Sequence, residues 1–526
     1  MVNEALRDGA AAATVDELSG QTLLAGGIWV VASSALPQIY VLASSILIAR
    51  FLTVDDMGHQ SYIAFVSISL VMICSFGLSG SFVRYGGELL GQGRLGTLRG
   101  LAWWILKIQF FCAIFSGLVI GAIGMFSHDL RASWMWAAVG APFAIIQNVP
   151  TAVLSVLRRW RQASIITLVI GFAFTVGIAV VLAAGGGVAG VFAVGTLLGV
   201  VAAAWTTLIA RRYLYAVAPR SEPHDDYYRP IISYAATIWA GFLLTFVVLR
   251  RSEFFVLDRY SSAKAIAYYS VAFAIVSGFA ASVESLAGVV APTVASLHGS
   301  GETDRIGPSF SRAVRLVLLV SVPLSAFGIA FGPALIRVIY GSDYTRTAAP
   351  LRIMLAAFPL VALMSLCGGL LWGSGRVRVW LLVFCFAAVV DVSLDFLLIP
   401  AHAEVGAAFA NIGAQVTASL LVVGYTVRMF GPLDWQTRVL ARALVAAVVA
   451  AAVGWIGVDL LAGVPGIAAG GAGAVVVFAG LSRLMRTVPA TDGAWIASSV
   501  RGRLGGRIAA AVRLATVAGS DELIGS

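Results

Sequence analysis

Charged side chains make up only 11% of the 526 residues, so those inside long apolar runs carry most of the chemical information. Arg250, Arg251 and Glu253 stand in LLTFVVLRRSEFFVLDRYSSAKAIAYYS (Leu243–Ser270), with Asp258, Arg259 and Lys264 close behind. A charge at membrane depth costs roughly 2.5 to 3.5 kcal/mol on insertion scales. The cluster therefore marks either a loop or a polar cavity. Arginine stays charged, and its planar fork matches phosphate and carboxylate oxygens, so Arg250 and Arg251 are candidates to hold an anionic ligand. The plainer alternative is a span that ends at Leu249, because about twenty apolar residues from Pro230 already cross a bilayer. Glu253 can pair locally with Arg250 at i+3 or join the same polar site. Arg84 ends the second apolar run, where it meets a ligand headgroup or snorkels to the interface.

Three acidic residues lie within apolar runs: Glu284, Asp391 and Asp395. A carboxyl group there needs a proton or a partner, and this points to coupling with protons or sodium. Glu284 is the first candidate for that coupling; Asp391 and Asp395 are four residues apart and share a helix face, where a structural polar contact is the first reading and ion coupling the alternative. For Glu284 the alternative is a buried pair with an arginine. The chain has no Walker loop, GxSxG, HExxH or paired catalytic carboxylates in a plausible setting. The glycines at 185–187 and 470–473 read as turns or packing positions. An enzyme, a nucleotide site and a bound cofactor are therefore not expected. Cys74, Cys112, Cys367 and Cys385 all lie in apolar runs without metal-ligand spacing and read as small buried hydrophobes.

The elements that must position these residues are long apolar helices. The hydrophobic fraction is 60% and the mean hydropathy +0.94, against about 45 to 50% apolar content in soluble domains. The expected fold is an all-α polytopic membrane protein with about 14 transmembrane helices. Apolar runs fall at 22–50 (with a Pro37–Gln38 kink), 61–83, 101–126, 134–157, 163–184 and 188–210. They resume at 231–257, 266–297, 313–340, 348–373, 379–400 and 405–428, then 440–462 and 464–484. Residues 84–100 read as a polar loop.

Two segments repeat at an offset of about 210 residues: ARFLTVDDMGHQSYIAF (49–65) resembles DRYSSAKAIAYYSVAFA (258–274), and GVAGVFAVG (187–195) resembles AEVGAAFANIG (403–413). This predicts two six-helix lobes of parallel topology, 22–212 and 230–428, joined by a linker at 213–229. An N-terminal segment (1–21), an extra helix pair (429–487) and a basic tail (488–526) complete the chain. Two such lobes predict a substrate site between them and alternating access. In the tail, Val500, Leu504, Ile508, Val512 and Ala515 share a helical face beside Arg503 and Arg507, which suits an amphipathic helix on the inner leaflet; a disordered tail is the alternative.

Placing both termini in the cytoplasm puts Arg94, Arg99, Arg158, Arg159, Arg161, Arg211 and Arg212 in inside loops, along with Arg305, Arg312, Arg376, Arg378, Arg438 and Arg442. That is the bias expected of a multi-pass cell-membrane protein. It also accounts for the net charge of +10 without nucleic acid.

The second half contains AYYSVAFAIV, VVAPTVASLHGSGETDRI, LVSVPLSAFGIAFGPALIRVIYGSDY and LDFLLIPAHAEVGAAFA; the first contains ARFLTVDDMG and GLSGSFVRYGGELLGQGR. In that order these segments resemble the Wzx-type polysaccharide flippases of the multidrug/oligosaccharidyl-lipid/polysaccharide exporter superfamily, over about residues 22–430. The resemblance implies movement of a polyprenyl-diphosphate-linked oligosaccharide to the outer leaflet for surface polysaccharide biosynthesis. It gives Arg250 and Arg251 a diphosphate or acidic sugar to bind. Membrane lipids and glycan polymerase or assembly proteins are the implied partners. Lipid II flippases share the YY and the P-x-ASLHGSGE-like region, but carry arginines in the first helix and just after the YY. Here no arginine precedes Arg50 in that helix, and Val271-Ala272 follow YYS. Drug/cation antiporters of the superfamily use an acidic pocket, and the Arg250/Arg251 pair argues against one. A lipid II flippase, such an antiporter, or a non-transporting scaffold or enzyme of glycan assembly remain the alternatives.

Overall fold

The computed structural model of the protein describes residues 20–127, 130–215, 228–249, 252–299, 306–374, 376–430, 437–461, 463–485 and 487. Arg250, Arg251, the Glu284 side chain, the N-terminal segment to residue 19, most of the linker (216–227) and the tail from 488 lie outside the described residues. The helices are α1 (Gly20–Phe51), α2 (Val54–Cys74), α3 (Leu78–Gly91), α4 (Leu95–Met125), α5 (Arg131–Val156), α6 (Trp160–Ala183), α7 (Gly187–Tyr215), α8 (Tyr228–Leu249), α9 (Glu253–Tyr260) and α10 (Ala263–Gly299). Then follow α11 (Ile306–Ile339), a 3-10 turn (Ser342–Thr347), α12 (Ala348–Gly373), α13 (Val377–Phe430), α14 (Thr437–Leu461) and α15 (Gly463–Leu484).

Among the described residues, eleven helices are long and apolar enough to cross a membrane. Lipid offers the backbone no hydrogen-bond partners, so a spanning segment must satisfy its own groups as a helix. Phe111, Leu118, Leu382, Leu397 and Val476 point outward, each about 70% exposed. Large apolar side chains on the outside suit a hydrocarbon surround. The chain is an all-α, multi-spanning membrane protein. Straight, the 54 residues of α13 would reach about 80 Å, against a hydrocarbon core of about 30 Å. Non-helical backbone at Ala403 (φ 48°, ψ −125°) divides it, three residues after Pro400.

One predicted loop is a helix instead. The backbone turns left-handed at Phe76 (φ 48°) and Gly77 (φ 65°), and α3 starts at Leu78. A Cβ at Gly77 would also lie 2.5 Å from the Ala235 carbonyl oxygen, so the tight turn needs glycine twice over. The polar residues of 84–91 mask an amphipathic pattern: Leu78, Ser81, Phe82, Gly86 and Leu89 are buried on one face. Arg84 therefore stands within a helix rather than at the end of a span.

The chain forms two compact units, residues 1–51 with 63–243, and residues 52–62 with 244–526. In the first unit, Phe82 of α3, Leu98, Leu101 and Ile105 of α4, Val149 and Val153 of α5, and Ile231 of α8 share one buried cluster. In the second, α14 and α15 pack through small residues. A Cβ on Gly470 would come 2.4 Å from the Gly454 carbonyl oxygen, and Ala443, Ala446, Ala447 and Ala450 are buried nearby; in lipid such close backbone approach drives helix pairing.

The start of α2 belongs to the second unit and lies against α10. Lys264 pairs with Asp55 at 3.5 Å, and the Ser61 hydroxyl donates to Ser270 at 3.1 Å. Each pair is separated by 209 residues, the offset at which 49–65 matches 258–274.

Candidate functional site

The polar centre of the second unit begins where α9 begins. Glu253 is the first residue of α9 and is fully buried. Asp391 and Asp395 lie one turn apart on the first segment of α13, also buried. Oxygens of the three carboxyl groups all lie within 4.8 Å of one another. Ser252, just ahead of α9, donates its hydroxyl to Asp391 Oδ2 at 2.7 Å. Asn411, on α13 beyond the Ala403 break, and Tyr269 of α10 stand beside Glu253. Gln415 orients Asn411 by donating to its Oδ1 at 2.6 Å, and Phe254 packs edge-on against the Tyr269 ring at 5.7 Å between centroids.

The local sequence explains this convergence. In EFFVLDRY, Phe254, Val256 and Leu257 are buried with Glu253, so the apolar side of the short helix draws the carboxyl group inward. The i,i+4 spacing of Asp391 and Asp395 points both at α9. Both oxygens of Glu253, one oxygen of each aspartate and the Tyr269 hydroxyl have no hydrogen-bond partner among the described residues, and none of those residues forms an ion pair with the three acids. Two like charges 4.8 Å apart repel by about 3.5 kcal/mol at an effective dielectric constant of 20. Three acids in one buried pocket thus require positive charge among them, which protons, a bound cation or a basic side chain can supply. Hard cations such as sodium take oxygen ligands of this kind, and five unpartnered oxygens fit such an ion.

The structure thus brings together Glu253, Asp391 and Asp395, which the sequence assigned to different tasks. The neighbours of Glu253 in sequence are arginines, so sequence alone groups it with Arg250 and Arg251 for ligand binding. Ser252, Tyr269 and Asn411 were missed. The signal for Asn411 was a carboxamide in an apolar run immediately following the run that holds the two aspartates.

Arg84 belongs to the first unit. Its guanidinium lies over the Tyr234 ring at 4.2 Å and the Tyr85 ring at 5.5 Å, and Tyr85 donates its hydroxyl to the Pro230 carbonyl at 3.3 Å. These contacts staple α3 to α8 by cation–π and aromatic packing, a structural role compatible with a ligand contact on the guanidinium edge.

Solved structures share this fold. A multidrug resistance MATE family transporter of the MOP superfamily, in an inward-facing conformation, superposes with a TM-score of 0.63 at 12% identity, covering 76% of this chain and 98% of that one. The lipid II flippase MurJ, in an inward closed conformation, gives 0.69 at 14% identity, over 86% of this chain and 98% of that one. A MOP superfamily transporter from Pyrococcus furiosus, described as having a binding pocket of reverse polarity that suggests a different function, gives 0.52 at 13% identity, over 77% and 94%. All three are transporters or flippases rather than enzymes. No curated protein matches in sequence. A family model described as "Polysaccharide biosynthesis protein" matches residues 47–349. That is more than half of the chain, and with the fold these three structures share this protein belongs to the polysaccharide biosynthesis protein family.

Proposed function

We propose that this protein is a cation-coupled flippase that moves a polyprenyl-diphosphate-linked saccharide across the cell membrane by alternating access. The observation that carries the coupling is the buried group of Glu253, Asp391 and Asp395 with its five unpartnered oxygens. With no nucleotide motif in the sequence, an ion gradient is the energy source this cluster suits. When the cation is bound, the negative charge is neutralised and α9, α10 and both segments of α13 are drawn together. When it leaves, mutual repulsion favours their separation. A cation that binds one arrangement better shifts the population toward it.

The family description supports a saccharide substrate. Arg250 and Arg251, three and two residues ahead of Glu253, would pair with the diphosphate, and Arg84 would meet the headgroup on entry. Glu284 is a second coupling candidate. A fold of 14 spans in two six-helix lobes, with both termini in the cytoplasm, fits the apolar runs and arginine distribution. Contacts between Asp55 and Lys264 and between Ser61 and Ser270 support the repeat, because each joins positions equivalent under the 209-residue offset.

The likeness to solved structures supports a second reading more directly than this specific substrate: a lipid II flippase, or a drug/cation antiporter. The MurJ match has the higher TM-score of the first two, and the acidic cluster suits an antiporter. Reconstitution into vesicles separates the readings. Flipping of a lipid-linked oligosaccharide that depends on a sodium or proton gradient supports the proposal. Transport of lipid II alone, or of organic cations alone, replaces it with the corresponding alternative.

A further inference from the structure

The first unit holds a groove of about 360 Å³ whose lining is apolar and whose charges are positive. The helix α5 is the floor, packed against both α4 and α7, and these two form the walls. Arg99 stands on the α4 wall and Arg211 on the α7 wall, while Trp103, Leu106, Val149 and Val153 line the length between them. Arg99 is half-buried and Arg211 exposed. Trp103 is 41% exposed, so the groove is open along its side. Beyond it on α4, Phe110 and Phe111 are exposed, which places the opening against hydrocarbon.

The two arginines sit at one end of the unit, where α4 and α6 start and α5 and α7 finish. Arg94, Arg158, Arg159, Arg161 and Arg212 lie at these same helix ends. From Arg99 to Leu106 the wall rises about 10 Å along α4, from the charged end into the apolar surround. An indole at this boundary is a familiar interfacial anchor.

We propose that this groove is a binding site for an anionic glycerophospholipid of the surrounding leaflet. Its phosphate is held between Arg99 and Arg211, and one acyl chain lies along Trp103, Leu106 and Val153. Guanidinium forks suit a phosphodiester, and basic pockets between helix ends suit anionic headgroups. Apart from the arginines, the polar groups on the lining are the Thr207 hydroxyl and the Trp103 indole, too few to read a saccharide. The occupant is therefore a bilayer lipid rather than the transported one. A lipid there bridges α4 and α7 and stiffens the first unit.

Native mass spectrometry of the full-length protein in detergent, titrated with phosphatidylglycerol and separately with phosphatidylcholine, tests the site. One phosphatidylglycerol should bind in preference to phosphatidylcholine. Each of Arg99→Gln and Arg211→Gln should weaken that binding about tenfold or more. Thr207→Trp, which fills the groove and keeps both arginines, should remove it as well. Arg158→Gln/Arg161→Gln, at the same end but off the lining, should leave it unchanged. Unaltered binding in Thr207→Trp means a diffuse surface charge effect and overturns the proposal, as does equal binding of phosphatidylcholine. Displacement of phosphatidylglycerol by a polyprenyl diphosphate at lower concentration assigns the groove to the transported lipid and overturns it too. If an arginine variant does not fold, Thr207→Trp and the lipid comparison still decide the outcome.

Discussion

Replacing Asp395 by Asn should separate cation binding from stability, because the two effects have opposite signs. The variant keeps the shape of the side chain and removes one of three buried acids. With all three ionised, each pair within 4.8 Å contributes about 3.5 kcal/mol of repulsion at an effective dielectric constant of 20. Asp395→Asn deletes two of those pairs, about 7 kcal/mol with all three acids ionised, and less to the extent that protons already neutralise the group. The cation-free protein should therefore melt higher than the wild type. The same change removes one charged ligand of the cation, worth about 1.5 to 3 kcal/mol, so cation affinity should fall roughly 10 to 150-fold. Wild-type protein at a sodium concentration one hundred times its Kd should gain about 2.7 kcal/mol of stability, a gain the variant should lose. Protons and sodium compete for the same oxygens, so acidification should shrink the sodium effect in the wild type. The assay is a thermal melt followed by intrinsic fluorescence across a sodium series at several pH values, with gradient-driven flipping measured on the same preparations. Identical sodium and pH dependence in wild type and Asp395→Asn, together with full transport, would refute a coupling role for the cluster.

Arg250→Ala/Arg251→Ala should insert normally, since it removes charge from an apolar run, and should weaken substrate affinity roughly 10 to 150-fold per lost contact; wild-type polysaccharide export at normal protein levels would place both residues outside the binding site. Arg346 pairs at 2.8 Å with Glu404, whose side chain is only 3% exposed. Arg346→Ala should thus destabilise the second unit by about 1 to 3 kcal/mol, and adding Glu404→Gln should recover part of that loss; no recovery would mean that the pair contributes through packing. Gly77→Ala combines a left-handed backbone, costing about 1 to 2 kcal/mol, with a contact of 2.5 Å to the Ala235 carbonyl oxygen, so its melting temperature should fall measurably below that of Gly80→Ala, where the added methyl group meets nothing closer than 3.5 Å. Cysteines placed at Ser221 and Ser526 should resist labelling by impermeant reagents from outside whole cells, and labelling at either site would overturn the proposed orientation.

Helix positions were largely legible in the sequence. Residues 348–373 were read as one apolar run and the structure has Ala348–Gly373; 464–484 became Gly463–Leu484. The reason is that lipid removes the backbone's other options, so a helix extends about as far as its apolar residues do. Where polarity and helicity part company, the same reading failed. Leu78–Gly91 is polar on one face and buried on the other, and its arginine and glutamate read locally as a loop. The turn at Phe76 and Gly77 that starts it depends on how close α8 approaches, which no local pattern records.

The candidate site divides in the same way. Buried acids in apolar runs announce themselves, because each one is costly wherever it lies in the membrane; Asp391 and Asp395 were found by that cost alone, and their shared helix face followed from the 3.6-residue period. The sequence could not say what stood opposite that face. Glu253 lies 138 residues away from Asp391, beside two arginines that offered it an obvious local partner. Only the packing of α9 against α13 turns it toward the aspartates, with Tyr269 and Asn411 supplied by two further segments. The presence of charge in a span is a local free-energy statement that a sequence carries. Which charges meet depends on helix packing between distant segments, and that was decided by the tertiary structure.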